Sequence, residues 1–224
     1  MEIFHSLSTS SKIIGVMIFS YLMGSISFAY LIGRFKGIDL REHGSKNIGA
    51  TNAGRVLGRN YFFIVFLLDT LKGFVPTFVA GQILFHSTIS RPAMFAFWLL
   101  AAFFAIAGHN WPCWLKFKGG KGVSTSLGVV LAIYPYFTFP GLIALATWIV
   151  LVKISGYVSL GSVVAAAVFV VSYLTFILTI PGWNLNDQWI LLTFAVLMAG
   201  LVIFRHLGNI RRLREGTENK FSLH

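Results

Sequence analysis

Five long apolar runs, at 13–33, 61–85, 93–111, 157–180 and 188–204, restrict the fold of this chain more than any other feature. A helix of about 20 apolar residues crosses the roughly 30 Å of hydrocarbon in a bilayer. In that medium the backbone must satisfy its own hydrogen bonds, and continuous runs of this length do so as helices. A mean hydropathy of +0.77, with 56% hydrophobic and 11% charged residues, excludes a water-soluble globule. Another apolar stretch, 123–152, is interrupted by Pro135 and Pro140 and fits two short spans or one re-entrant hairpin. The expected fold is therefore an all-α polytopic integral membrane protein, a single domain over 1–224. About seven transmembrane helices are expected, or five plus a re-entrant hairpin. The first run is expected to be retained rather than cleaved as a signal peptide, because further spans follow it.

Charge supplies the orientation. Eighteen Lys and Arg against seven acidic residues give +11, and the basic residues cluster between the apolar runs. Arg34, Lys36, Arg41, Lys46, Arg55 and Arg59 share the first loop, Lys116, Lys118 and Lys121 a second, and Arg205, Arg211, Arg212, Arg214 and Lys220 the tail. Positive loops stay on the cytoplasmic side, so these segments are expected inside, with the N-terminus outside and the C-terminus cytoplasmic. Sorted in this way, the excess charge gives no reason to expect nucleic acid as a partner. A lone cysteine, Cys113 between two tryptophans and a proline, excludes a disulfide or thiol cluster and reads as a packed small hydrophobe.

The first loop, from Asp39 to Arg55, has the composition of an anion cradle. Gly44, Gly49 and Gly54 free the backbone to turn its N–H groups toward one point, and Ser45, Asn47, Thr51 and Asn52 add side-chain donors. Arg41, Lys46 and Arg55 bring positive charge, Arg55 with a fork that matches phosphate. The second run carries Asp69 and Lys72 at mid-depth. Each ionised group there costs about 2.5–3.5 kcal/mol, against a return of about 0.3–0.6 for each large aliphatic or Phe neighbour. The two sums nearly cancel. The pair, three residues apart on one helix face, must point into the bundle or a wet cleft and pair with each other.

A second candidate cradle runs Lys118-Gly119-Gly120-Lys121-Gly122, followed by a helical segment whose positive end faces the same anion. It is not a nucleotide-type phosphate loop, since Leu115 and Gly122 stand where that motif needs Gly and Ser or Thr. The tail adds Arg205, His206 and Asn209. Two cradles on one face suggest two phosphorylated ligands, one small and cytosolic, the other able to carry a greasy tail into the bilayer. There is no Gly-x-Ser-x-Gly elbow, no metal-type histidine set and no His followed five residues later by Asp. An acyl-enzyme is thus disfavoured, and direct transfer driven by placement and cationic stabilisation fits the residues present. A transporter for an organic phosphate would use the same cradles, though it would need a path to the outer face, where the loops are short and nearly uncharged. His109, beside Pro112, reads as structural.

Taken together, Gly24-Ser25, Asp39-Leu40-Arg41, Gly44 to Arg55, Asp69-Thr70-Leu71-Lys72-Gly73, Gly108-His109, Gly119-Gly120-Lys121-Gly122 and Arg205-His206 with Asn209 resemble the acyl-phosphate-dependent glycerol-3-phosphate acyltransferases of bacterial inner membranes, the PlsY family. The resemblance covers nearly the whole chain. It implies transfer of a fatty acyl group from acyl phosphate to the 1-hydroxyl of sn-glycerol 3-phosphate, the first step of phospholipid synthesis, giving lysophosphatidic acid and phosphate. Acyl-CoA as donor is the nearer alternative. Implied as well are an active site on the cytoplasmic side of the inner membrane, no cofactor or metal, surrounding lipid, and a monomer. Ser45, Lys121, His206 and Asn209 would be the catalytic set. Asn47, Thr51, Asn52 and Arg55 would bind substrate with Gly44 and Gly49. Asp69, Lys72, Ser159 and Arg205 would join them, as would Gly119, Gly120 and Gly122. Lys46 stands where the family commonly has glycine and adds a charge near the cradle.

Overall fold

Helices α1 (Thr9–Ser25) and α2 (Phe28–Phe35) share the first apolar run, meeting at a 40° bend over Ile26 and Ser27. The computed structural model describes residues 9–221, with no strand among them. After the first loop come α3 (Ala50–Leu57), α4 (Arg59–Phe85) and α5 (Arg91–Asn110). A short 3-10 turn at Cys113–Leu115 leads to α6 (Val123–Ala132), α7 (Thr138–Ser155), α8 (Val158–Thr179), α9 (Leu185–Arg205) and α10 (Leu207–Arg214). Among the described residues, five helical stretches are long and apolar enough to cross a membrane, six if the bent α1–α2 pair makes one span. Counted by length and composition alone, the spans number fewer than the seven expected. The interrupted run at 123–152 accounts for the difference, because α6 has only 10 residues and is about 15 Å long at 1.5 Å per residue. The chain is nonetheless a multi-pass membrane protein, and its outer faces carry exposed Ile, Leu, Phe and Val.

Small residues bring the helices together. Gly24 and Gly108 seat α1 against α5, where a Cβ on either would collide with the opposing backbone. Gly73 and Gly128 do the same for α4 and α6, with Gly73 on Thr125 and Gly128 on Thr70, so these helices cross at near-contact. Away from the bulk core, Asp69 and Lys72 on α4 form the expected ion pair, Nζ to Oδ1 at 2.7 Å with both side chains 2% exposed. Lys72 also donates to the Ile26 carbonyl at 2.6 Å. That carbonyl lies in the α1–α2 bend, so the buried ammonium supports the break in the first run.

The two ends of the bundle differ in chemistry. At one, Arg91 donates to the Tyr136 hydroxyl at 3.1 Å and Tyr136 packs on Phe95 and Trp183, an aromatic closure. At the other, the first loop, the glycine-rich loop, the α7–α8 turn and the tail meet around a polar cleft. Cys113 departs from expectation. It is exposed because the 3-10 turn directs Leu115 inward instead.

Candidate active site

The first loop is built around a buried amide. Asn52, 1% exposed, accepts from the Ser45 N–H at 2.8 Å and donates through Nδ2 to the Leu40 and His43 carbonyls at 3.0 and 3.1 Å. Gly44 takes φ +60, and a Cβ there would run into Asn52 Oδ1. All of the Asn52 donors and its acceptor are thereby committed to loop shape, while Ser45, Asn47 and Thr51 are left at the cleft wall. Lys46 adopts φ +58, a left-handed conformation that favours glycine, and its side chain lies on the exposed surface. Arg41 is held by Asp39 at 2.6 Å and lies over the Tyr30 ring, outside the cleft. Arg55 lines the cleft and donates to the Asn219 carbonyl at 3.0 Å.

Opposite this loop, the glycine-rich segment is tied to the end of α5. Gly119 and Gly120 donate to the carbonyls of Asn110 and His109, each at 3.1 Å. A Cβ on Gly119 would strike the His109 carbonyl, and one on Gly120 the His109 ring. Arg205 closes the segment from α9, donating to the Gly120 carbonyl at 2.6 Å. Gly122, at φ +81, caps α6 without a side-chain partner. The free N–H groups of the first turn of α6 therefore start at the cleft wall beside Lys121.

Lys121 crosses the cleft to donate to Asn209 Oδ1 on α10. Burial, and behind it the repulsion of Arg212, Arg205 and Arg55, lowers its pKa to about 8, with Glu218 acting in the opposite sense. At neutral pH it is still mostly protonated. His206, where α9 gives way to α10, is 3% exposed, and its Nδ1 lies 2.8 Å from the Val202 carbonyl. A carbonyl only accepts, so Nδ1 carries the proton and Nε2 the lone pair. Burial first, then the Lys121 charge, lowers the His206 pKa to about 4, so the ring is neutral and Nε2 is an acceptor. The cleft has a volume of about 350 Å³, and Asp69 and His109 lie at its lining from within the bundle. Phe66, Val123, Trp148 and Ser162 are shared with an apolar groove of about 110 Å³ that continues between α6, α7, α8 and α9.

A family model described as glycerol-3-phosphate acyltransferase matches residues 14–216. The chain belongs to the glycerol-3-phosphate acyltransferase family. A glycerol-3-phosphate acyltransferase of Thermoanaerobacter sp. (strain X514) is 40% identical over 204 residues, 91% of this chain and 92% of the relative. That of Aquifex aeolicus is 38% identical over 212 residues, 94% of this chain and all of the relative. The crystal structure of PlsY (YgiH), an integral membrane glycerol 3-phosphate acyltransferase in its glycerol 3-phosphate form, superimposes with a TM-score of 0.80 at 36% identity, covering 94% of this chain and 96% of that one. Its lysophosphatidic acid form gives a TM-score of 0.75 at the same identity.

In this acyltransferase, the three segments expected to converge do so. Ser45, Asn47, Gly49, Thr51, Asn52 and Arg55 line the cleft, as do Lys121, Gly122, Ser159, Arg205, His206 and Asn209. Asp69 also reaches it. Gly44, Lys72, Gly119 and Gly120 do not, and their places in the packing explain why. Gly44 lies behind Asn52, Lys72 turns to the α1–α2 break, and Gly119 and Gly120 are pressed on the end of α5. Sequence reasoning placed Arg212 in the basic tail but gave no site role to it or to Glu218, Trp148 and Ser162, all at the cleft. The basic tail holds two carboxylates, Glu215 and Glu218, and nothing in the sequence marks which of them turns inward or singles out Trp148 or Ser162 for the cleft.

Proposed function

We propose that this acyltransferase moves a fatty acyl group directly from acyl phosphate to the 1-hydroxyl of glycerol 3-phosphate. The hydroxyl oxygen attacks the acyl carbon, the bond from that carbon to the phosphate oxygen breaks, and the hydroxyl proton ends on a phosphate. The products are lysophosphatidic acid and inorganic phosphate. One observation carries the reading. A cleft ringed by Lys121, Arg55, Arg205 and Arg212 continues, through walls both sites share, into a groove of almost wholly apolar lining. Such a site fits an anionic head group attached to a greasy tail, with a second anion beside it. The glycerol 3-phosphate and lysophosphatidic acid forms of the similar PlsY structure agree with that pairing.

Placement and charge provide the catalysis. Lys121 and the arginines neutralise the leaving phosphate as it gains charge. Neutral His206 offers Nε2 to the glycerol hydroxyl, but with a pKa of about 4 it is a weak base, so the final proton acceptor is a substrate phosphate. The reading includes seven passes, with the N-terminus outside and the cleft on the cytoplasmic face of the bacterial inner membrane: the basic loops gather at the cleft end, and α6 starts at the cleft while Tyr136, just after it, packs in the aromatic closure, which makes 123–137 a short pass. The test is phosphate release from palmitoyl phosphate by purified protein, with and without glycerol 3-phosphate. Release that needs both supports the reading, and equal or faster acylation from palmitoyl-CoA overturns the choice of donor. Uptake of glycerol 3-phosphate into liposomes without phosphate release overturns the reading altogether.

A further inference from the structure

The segment after α10 folds back over the cleft as a strap. Thr217 donates to the Arg212 carbonyl at 2.9 Å, the Asn219 carbonyl accepts from Arg55, and the Phe221 N–H donates to the Gly156 carbonyl at 2.7 Å. The Phe221 ring packs on Phe62 of α4 at 4.9 Å, and the Lys220 ammonium lies over Tyr157 at 5.7 Å. Midway along the strap, Glu218 turns inward, its side chain 5% exposed. One carboxylate oxygen accepts from Ser159 Oγ at 2.8 Å and from Asn209 Nδ2 at 2.6 Å, and the other from Arg212 Nε at 2.7 Å.

We propose that Glu218 is a positioning residue for the transfer reaction, fixing from the strap which atoms Ser159, Asn209 and Lys121 present to glycerol 3-phosphate. This rests on the reading of the cleft given above. A carboxylate only accepts, so Asn209 must turn its Nδ2 to Glu218, and its Oδ1 is then the atom that receives Lys121. Ser159 has a single proton. Having given it to Glu218, it faces the cleft with lone pairs and accepts from a substrate hydroxyl. Arg212 spends Nε on Glu218 and keeps its terminal nitrogens for phosphate. Charge works in the same direction. Lys121 faces Arg205 from α9, Arg212 and His206 from the tail side and Arg55 from α3, with Glu218 as the carboxylate that offsets them. Asp69, the other acid at the cleft, is occupied by Lys72. The cleft keeps its volume with the strap in place, so the carboxylate forms part of the wall and does not plug the site.

The test compares full-length protein with Glu218→Gln, Glu218→Asp and a chain ending after Gly216, using palmitoyl phosphate and glycerol 3-phosphate over a range of pH. Glu218→Gln and the shortened chain are expected to lose about tenfold or more in kcat/KM for glycerol 3-phosphate, the scale of a charge-assisted hydrogen bond. Their alkaline limb is expected to move to lower pH, since Lys121 loses its counter-charge. Glu218→Asp keeps the charge and disturbs folding least; alone it must leave that limb in place while lowering kcat/KM several-fold. Wild-type kcat/KM with an unmoved limb in Glu218→Gln overturns the proposal, as does full activity in Glu218→Asp. A lower KM at unchanged kcat also overturns it, because it marks the carboxylate as an obstacle to phosphate. If the unaltered protein releases no phosphate with both substrates present, the reading of the cleft falls and Glu218's role with it. Normal turnover in the unaltered protein with unaffected variants removes Glu218 alone.

Discussion

Lys121 is the cation of the cleft whose charge is adjustable near neutral pH. Its pKa of about 8 makes it charged below that value and neutral above it. Anion binding is therefore expected at neutral pH and lost as the medium becomes alkaline. The profile of kcat/KM, which reports the free enzyme, should fall with an apparent pKa near 8. Lys121→Met should abolish that limb together with most of the activity. Asn52 acts differently, through the backbone of its loop. Asn52→Ala strands the partners of three hydrogen bonds, at about 1–3 kcal/mol for each buried group left unsatisfied. A clear fall in the thermal unfolding midpoint should accompany lost activity, whereas Asn47→Ala should weaken glycerol 3-phosphate binding and leave the midpoint nearly unchanged. Sequence composition pointed to the polar side chains of this loop but could not separate these places, because a buried amide that builds a turn and one left at the cleft wall look alike until the turn is closed.

At the scale of elements, the α4 pair and the apolar groove are each open to a direct test. Removing one partner of Asp69 and Lys72 leaves a buried charge uncompensated, at about 3–5 kcal/mol. Replacing both with apolar residues avoids that cost. Lys72→Met should destabilise the protein strongly, and Asp69→Leu combined with Lys72→Met should recover much of the unfolding midpoint. The double variant will still lack the bond to the Ile26 carbonyl. In the groove, Ala144 on α7 is nearly buried and lines the apolar wall. Ala144→Phe should fill the groove and lower kcat/KM for long-chain acyl phosphates much more than for short-chain ones, measured across a chain-length series. The long spans were legible in the sequence because hydrophobic length is a local property. The short α6 was legible too, from Pro135 just beyond it; the break at Ile26 was not, since it depends on Lys72 arriving from another helix.

Over the whole molecule, the basic loops, α3, the first turn of α6 and the tail are gathered at one end, away from the aromatic closure around Tyr136. That gathering was anticipated from the way Lys and Arg sort between apolar runs. The strap was not, because its course depends on Phe221 meeting Phe62 and on the Gly156 carbonyl, contacts far apart in sequence. The central claim is that both anions occupy this one cleft together and the acyl group passes between them without resting on the protein. Initial rates of phosphate release over a grid of acyl phosphate and glycerol 3-phosphate concentrations test it most directly. Double-reciprocal lines that intersect, with no release when either substrate is omitted, are the predicted result. Parallel lines, the signature of a covalent acyl-enzyme, would contradict it.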